Sequence, residues 1–205
     1  MNDSPADSRT RLLNAALKVI RTRGYSATRI DDICAEASLS KGSFFHHFAS
    51  KEELAVEAAR HWSSVTDAFF AAAPYHQSAD PLERVLGYID FRRSILSGLV
   101  PEFTCLVGTM VQETYDSSPA IRDACEASIS GHAATVARDI ELARAKYAPN
   151  APWTAESLAL HTQAVLQGAF ILAKARGNAR VAEESVDHLK RYVELLFHPT
   201  NPKEH

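Results

Sequence analysis

Cysteine, glycine and proline are all scarce in this sequence of 205 residues, and each shortage excludes a class of structure. The 3 cysteines are odd in number and form no CxxC pair, so we expect neither a disulfide framework nor a zinc site. The 8 glycines and 9 prolines leave little room for disorder. No apolar run approaches the roughly 20 residues of a membrane span, and the N-terminus lacks the apolar core of a signal peptide. These absences predict a folded, soluble, cytoplasmic protein without a metal ion or a cofactor.

Basic residues are not in excess over the whole chain, since the formal net charge is −3. That balance argues against a protein that coats nucleic acid along its entire length. The distribution is uneven, however, because 8 basic residues face only 3 acidic ones between Arg9 and Lys51. Positive charge is therefore concentrated in the N-terminal quarter.

Apolar residues recur with helical spacing almost everywhere, and no convincing series of alternating strands is present. This pattern predicts an all-α fold of about nine helices. The first helix is predicted to begin near Ser8 and to stop at Gly24, where a glycine can adopt the left-handed conformation. Thr28 is the expected N-cap of the second helix. Residues 100–115, "VPEFTCLVGTMVQETY", are expected to form a single sixth helix.

The stretch "SLSKGSFFHHF", Ser38 to Phe48, contains the most informative local pattern. It joins the second helix to a very short third helix, Lys41 to His47, and two helices joined in this way form the outline of a helix-turn-helix. Phe44 and Phe48 are one turn apart, so both can anchor the short helix to the core. The opposite face of the short helix is then available to a DNA major groove.

The residues around that free face have the chemistry that DNA contacts require. Gly42 permits close approach of the backbone, and Lys41, Ser43 and His46 can hydrogen-bond to base edges. Phosphate groups can be bound by side chains and by helix N-termini near the groove. The candidates for those phosphate contacts are Thr28, Arg29 and Lys51, with backbone N–H groups at the starts of the second and fourth helices. Ser40, the predicted cap of the short helix, is a further DNA-binding candidate.

The segment from Arg11 to Leu54 closely resembles the N-terminal DNA-binding region of the TetR family of transcriptional repressors. The resemblance is carried by the Gly24 stop and by "SKGSFFHHF" and "SKEEL". It implies a helix-turn-helix DNA-binding domain over residues 1–50 and a ligand-binding and dimerisation domain over residues 51–200. It also implies a homodimer that binds a palindromic operator and is released by a small-molecule or electrophile inducer.

The resemblance also implies which side chains touch DNA. One departure from the family pattern is Phe45, which stands where the family usually has a tyrosine whose hydroxyl reaches a phosphate. That hydrogen bond is missing here, so stacking on the sugar-phosphate backbone would have to suffice. The positions that match DNA contacts of the family are Thr28, Lys41, Gly42, Ser43, Phe45, His47 and Lys51.

The last two predicted helices, "ESLALHTQAVLQGAFILAKARG" and "VAEESVDHLKRYVELLF", are amphipathic and contain the small residues Gly168, Ala169 and Ala173. Small residues allow close helix approach, either within one core or across a two-fold interface. In the TetR family these two helices form a four-helix dimer bundle. A palindromic operator requires a symmetric reader, which favours the interface.

Candidates for the inducer pocket are inward-facing residues of the fourth to eighth predicted helices. The alternative for each of them is a plain core position, because aromatic residues and methionine at helical spacing are typical of a core. These candidates are Trp62, Phe69, Phe91, Phe103, Met110, His132 and His161.

A more specific candidate is Cys105 in "FTCLVGTMVQE". This segment resembles a TetR branch whose members respond to electrophiles and oxidants through a cysteine at that point. Lys174 matches a lysine that this branch often has near the cysteine, and a lysine can lower a thiol pKa. The alternative is that Cys105 is a small buried hydrophobic residue.

Two other classes of protein were weighed against a DNA-binding regulator. The sequence contains no nucleophile elbow, Gly-rich phosphate loop, HExxH motif or evident acid pair, so an enzyme is not expected. A helical adaptor that binds other proteins stays open; it predicts no salt-sensitive affinity for DNA. An activator or a corepressor-dependent member of the family also stays open.

Overall fold

The structure, a computed structural model, describes residues 5–197, and this range is all-α with no strand. None of the helices in it is both long and apolar enough to span a membrane. Ten α-helices and the short 3-10 helix Pro74–Gln77 occur in this range. The α-helices are α1 Pro5–Arg23, α2 Ile30–Ala37, α3 Lys41–His47, α4 Lys51–Ala71, α5 Pro81–Ser94, α6 Val100–Phe103, α7 Leu106–Thr114, α8 Pro119–Tyr147, α9 Ala155–Arg176 and α10 Arg180–Phe197.

The chain forms two compact units. Among the described residues, the first contains residues 5–68 and 104–129, and the second contains residues 69–103 and 130–197. The all-α prediction is confirmed. The predicted division into a DNA-binding domain and a ligand-binding domain, between residues 50 and 51, stays a prediction.

The core of the first unit is built around α1, which packs against α2, α3 and α7. Leu12, Ala16 and Ile20 are almost completely buried at helical spacing on one face of α1. Gly24 ends the helix with a φ of 84°, and its N–H donates to the Ile20 carbonyl at 2.8 Å. The predicted stop is therefore confirmed. The predicted start near Ser8 is wrong, because α1 begins at Pro5, and proline is favoured at the first helical position.

The predicted N-cap at Thr28 is also wrong. The Thr28 side chain is buried, and its hydroxyl donates to the Gly24 carbonyl at 2.6 Å, so it closes the preceding turn instead of capping α2. Arg29 is the N-cap, and its backbone N–H donates to the Asp32 carboxylate at 2.9 Å. This hydrogen bond is the main reason why the pKa of Asp32 lies below its usual value.

The predicted sixth helix is interrupted, so α6 and α7 replace it. Cys105 has an extended backbone with φ −82° and ψ 128°, and its Sγ accepts a hydrogen bond from the Gly108 N–H at 3.4 Å. The thiol thus takes the place of the usual N-cap oxygen. Thr104, which precedes it, is β-branched and belongs to the residues of lower helix propensity.

In the second unit, α10 packs against both α9 and α5. Thr154 caps α9 through its hydroxyl, and Gly177 ends the helix with a φ of 68°. On the surface, Arg93 pairs with Asp187 and Lys190 with Asp90, each at 2.7 Å, and these pairs connect α5 to α10. Both pairs are largely exposed, so we expect the packing of apolar side chains to dominate the stability of this unit.

Candidate functional site

The short helix α3 is held in place by its caps and by two phenylalanines. Ser38 ends α2 in the left-handed conformation with a φ of 53°, which turns the chain sharply. Ser40 then caps α3 by accepting a hydrogen bond from the Ser43 N–H at 3.1 Å. Phe44 and Phe48 are buried, with ring centroids 5.7 Å apart. The prediction that these two rings anchor α3 is confirmed.

The other face of α3 is exposed to solvent. Lys41, Gly42, Phe45 and His46 are all exposed, and 55% of the Phe45 surface is accessible. A single exposed ring is common on protein surfaces, so the significance of Phe45 comes from its position on the free face of α3. A Cβ atom added to Gly42 would meet only the Ser40 hydroxyl at 3.6 Å, so the space in front of this backbone is open. This surface can therefore enter a groove without rearrangement of the helix.

Two predicted contact residues are already engaged with protein groups. The Lys41 ammonium pairs with Asp31 at 2.8 Å, and this hydrogen bond raises the pKa of Lys41. The Lys51 ammonium donates to the carbonyls of Tyr25 and Thr28, both at 2.9 Å, and lies 4.2 Å from the centroid of the Tyr25 ring. Burial lowers the pKa of Lys51. Lys51 thus supports the loop between α1 and α2.

His47 is half-buried and contacts Ser8, which was not among the predicted site residues. Its Nε2 atom is 2.7 Å from the Ser8 hydroxyl. Burial, with smaller contributions from His46 and Arg9, lowers the pKa of His47 below its usual value. The imidazole is therefore mainly neutral at pH 7. The roles of His47, Thr28 and Lys51 in contacting DNA stay predictions.

A carboxylate from α7 binds the loop between α1 and α2. Glu113 accepts hydrogen bonds from the backbone N–H groups of Tyr25 at 3.0 Å and Ser26 at 2.7 Å. A hydrogen bond to a charged group contributes roughly 1.5–3 kcal/mol to stability. The loop that precedes the helix-turn-helix is therefore fixed from two sides, by Lys51 and by Glu113.

The second unit contains a cluster of aromatic rings, which we call the aromatic cluster. Three of the predicted pocket residues meet there: Phe69 lies 5.2 Å from Phe91, and His132 lies 4.7 Å from Phe70, measured between ring centroids. The other members were not among the predicted pocket residues. The full cluster comprises Phe69, Phe70, Tyr75, Tyr88, Phe91, Arg92 and His132.

A chain of polar side chains passes through this cluster. The Gln163 amide donates to the Tyr88 hydroxyl at 3.2 Å, and that hydroxyl lies 3.0 Å from His132 Nε2. Desolvation, assisted by the charge of Arg92, lowers the pKa of His132 to about 3. His132 is therefore neutral at pH 7 and can accept the Tyr88 proton in a hydrogen bond. A cavity of about 20 Å³ beside Tyr75, Tyr88 and His132 has room for about one water molecule.

Two family models match the chain, one over each part of it. Residues 12–58 match the model of the bacterial regulatory proteins of the tetR family. Residues 81–184 match the model of the C-terminal domain of LmrA/YxaF-like transcriptional regulators. The chain belongs to the TetR family of transcriptional regulators. The helix-turn-helix formed by α2 and α3 is accordingly its DNA-binding element.

Individual relatives agree with this assignment. The chain is 29% identical over 138 residues to the transcriptional regulator YxaF of Bacillus subtilis, which covers 67% of this chain and 72% of that protein. It is 30% identical over 130 residues to the regulator LmrA of the same organism, covering 60% and 65%. It is 37% identical over 87 residues to the repressor KstR2 of Mycolicibacterium smegmatis, covering 40% of each chain.

Solved TetR-family structures have the same fold. A regulator from Chloroflexus aurantiacus superposes with a TM-score of 0.80 at 26% identity, over 93% of this chain and 96% of that one. A regulator from Agrobacterium tumefaciens superposes with a TM-score of 0.79 at 20% identity, over 92% and 98%. The arrangement of an N-terminal helix-turn-helix followed by a helical C-terminal part is therefore that of the TetR family.

The remaining pocket candidates of this TetR-family chain lie outside the aromatic cluster. Met110 is buried in the core of the first unit, and half-buried Trp62 carries the Arg21 guanidinium 5.1 Å from its ring centroid. Phe103 packs 6.4 Å from Phe170, again between centroids. These positions have the geometry of packing residues, and their role in binding a ligand stays a prediction.

The last candidates lie on α7 and α9. His161 and Lys174 are exposed on α9, and the His161 ring lies 5.1 Å from that of Tyr192. Cys105 belongs to the first unit and Lys174 to the second, so the pairing of these two residues stays a prediction. In the part of the chain with described side chains, no group of three or more His, Cys, Asp or Glu residues is suited to hold a metal ion.

Proposed function

We propose that this TetR-family regulator is a ligand-responsive repressor that binds a palindromic operator as a homodimer and is released by a small-molecule inducer. The observation that carries the proposal is the exposed face of α3, with Lys41, Gly42, Phe45 and His46 projecting while Phe44 is buried. Repression would follow from occupation of a promoter by the dimer. The two copies of α3 must lie about 34 Å apart to enter successive major grooves.

The experiment that tests operator binding is a titration of labelled DNA from the region upstream of the gene, at several salt concentrations. Counterion release predicts that the logarithm of the binding constant falls steeply with the logarithm of salt concentration. Tight binding to this DNA, compared with a scrambled duplex, is expected. A helical adaptor would bind neither duplex and would show no salt dependence.

The homodimer is supported by an apolar surface on α9 and α10. Leu160 and Leu172 on α9 are 50% and 48% exposed, and Leu195 on α10 is 54% exposed. Gly168 lies between the two α9 leucines, and a Cβ atom added there would meet nothing within 4 Å. Exposed leucines on both helices, together with a small residue on α9, are suited to close packing against a second copy. We therefore place the two-fold interface on these helices.

We expect the Leu172→Glu variant to be monomeric, because association through this surface would remove the introduced carboxylate from water. Its operator affinity should fall about tenfold or more, since burying an uncompensated charge costs several kcal/mol and a monomer contacts one half-site. Sedimentation velocity measures the mass. The matched control is Ala134→Glu, which places the same charge on an exposed position of α8. A dimer of Leu172→Glu as stable as that of the control would contradict the interface.

Inducer binding is assigned to the aromatic cluster, which combines apolar rings with the polar groups of Tyr88, His132 and Gln163. Such a mixture is characteristic of small-molecule sites. The helix α4 carries Lys51 at its first residue and Phe70 near its last, and we expect it to transmit binding to the helix-turn-helix. A coupling of about 1–3 kcal/mol corresponds to roughly 5- to 150-fold weaker operator binding.

Release by an electrophile is the second route, and the exposure of the cysteines favours one position. Cys34 and Cys125 are buried, and burial raises the pKa of both thiols, that of Cys125 to about 12. Cys105 is only partly buried. Because the thiolate is the reactive form, N-ethylmaleimide should modify the folded protein once, at Cys105, and weaken operator binding. Peptide mapping identifies the site, and full modification with unchanged operator affinity would exclude this route.

A further inference from the structure

Arg92 differs from the other arginines of its helix. Arg84 pairs with Asp139 at 2.8 Å, and Arg93 pairs with Asp187 at 2.7 Å. Arg92 forms no ion pair with any carboxylate in the part of the chain whose side chains are described, and its Nε–H is buried without a hydrogen-bond acceptor. Arg92 as a whole is only partly buried, so its guanidinium combines partial exposure with one buried, unsatisfied donor.

An unsatisfied guanidinium in such a place favours an anion. Arginine stays protonated at all physiological pH values, so burial cannot be relieved by loss of the proton. A buried donor without an acceptor is destabilising, and the destabilisation is removed when an acceptor arrives. The planar fork of N–H groups matches the two oxygens of a carboxylate, which forms the strongest pairs with arginine.

The surroundings of Arg92 are aromatic. Its Cζ atom is 4.9 Å from the ring centroid of Phe70 and 5.8 Å from that of Tyr88. Tyr75 lies 5.9 Å from Tyr88 and 6.0 Å from Phe91, between ring centroids. The aromatic ring faces that could attract a cationic ligand therefore already surround the Arg92 guanidinium. A second positive charge would be repelled by it. A flat apolar group, in contrast, can stack among these rings.

From these contacts we propose that Arg92 is the anchor of a binding site for small aromatic carboxylates. The acid group pairs with the Arg92 guanidinium, and the aromatic body lies against Phe70, Tyr75 and Phe91. The cavity of about 20 Å³ beside Tyr75 and Tyr88 is not lined by Arg92 and is too small for such a ligand, so binding requires aromatic side chains of the cluster to move. The site rests on the proposed function, because it would define the class of inducer.

The test is calorimetric titration of the full-length protein with three probes of similar size and different charge. Sodium benzoate is the anion, benzamide is its neutral counterpart and benzyltrimethylammonium chloride is the cation. Benzoate should bind at least about tenfold more tightly than either of the others, because only benzoate pairs with the guanidinium. Equal binding of benzamide, tighter binding of the cation or no binding of benzoate would overturn the proposal.

Variants at two adjacent arginines identify the anchor. Arg92→Gln should weaken benzoate binding about tenfold or more, whereas Arg93→Gln, which removes the exposed pair with Asp187, should leave it unchanged. If circular dichroism shows that Arg92→Gln does not fold, Arg92→Lys replaces it. This variant keeps the positive charge but loses the paired N–H donors of the guanidinium, so it should also bind benzoate more weakly than wild type. Unchanged affinity in the folded Arg92 variant would overturn the proposal.

Operator binding is measured in parallel, so that the two proposals can fail separately. Benzoate binding that depends on Arg92 supports the site even if the protein binds no operator. Absence of operator binding contradicts the repressor function, not the site. Operator binding without any binding of benzoate supports the repressor and overturns the site.

Discussion

The Gly42→Glu variant is expected to lose operator binding while its fold stays intact. Gly42 is exposed near the start of α3, and a Cβ atom there meets only the Ser40 hydroxyl at 3.6 Å. Glutamate is a better helix former than glycine by roughly 0.5–1 kcal/mol, and a negative charge near a helix N-terminus is favourable. On DNA the same carboxylate would face phosphate groups and block the approach of the backbone. We expect operator affinity to fall about 100-fold or more, since close like charges cost several kcal/mol.

The matched control for this prediction is Gly131→Glu. Gly131 is also an exposed glycine within a helix, and an added Cβ atom there would meet nothing within 4 Å. Thermal unfolding should show that both variants are at least as stable as wild type, and fluorescence anisotropy with labelled operator should separate them. Wild-type affinity in Gly42→Glu would mean that α3 does not enter the groove.

A second large effect is expected at the neighbouring pair Phe44 and Phe45. Phe44 is fully buried and packs against Phe48, so Phe44→Ala should lower the free energy of unfolding by about 3–5 kcal/mol. Phe45 is 55% exposed, so Phe45→Ala should change stability by about 0.5 kcal/mol or less. Urea unfolding monitored by circular dichroism measures both values.

In DNA binding, we expect Phe45→Ala to lose more operator affinity than Phe44→Ala, when both are measured at temperatures where they are folded. Phe45→Ala removes a side chain that we propose faces the operator, and the loss of one contact of about 1.4 kcal/mol would weaken binding about tenfold. Phe44→Ala should retain more of its operator affinity once the folded fraction is taken into account. Similar losses of stability in the two variants would contradict the assignment of one inward and one outward ring.

The features of the DNA-binding element that depend on local sequence were predictable. The bounds of α3, the burial of Phe44 and Phe48 and the stop at Gly24 all follow from helical spacing, capping residues and a glycine, which act within a few residues. The wrong N-cap at Thr28 has the same local origin. A threonine hydroxyl can cap the next helix or close the preceding turn, and the sequence does not distinguish these two uses.

Contacts between distant positions could not be predicted in this way. Glu113 binds the backbone at Tyr25 and Ser26, and Ser8 binds His47, although these partners are far apart in the sequence. Helical spacing indicates that a side chain is buried but does not identify its neighbour. No periodic pattern distinguishes the guanidinium of Arg92, which pairs with no carboxylate of the described residues, from that of Arg93, which pairs with Asp187.

The pocket candidates illustrate the same limit in the second unit. Phe69, Phe91 and His132 were selected as apolar or polar residues on inward faces, and the fold brings them into one cluster. Phe69 is nevertheless 48% exposed, so its predicted inward orientation is wrong. Met110 satisfied the same criterion and lies in the core of the first unit. Only the packing of the helices determines which inward-facing residues share a site.

The central claim is that two copies of α3 read one operator from successive major grooves. Hydroxyl-radical footprinting on the DNA upstream of the gene tests it most directly. The account predicts two protected segments on the same face of the duplex, about 10 base pairs or a multiple of that apart between their centres, and no protection by Gly42→Glu. A single protected segment, or the same footprint from Gly42→Glu as from wild type, would contradict it.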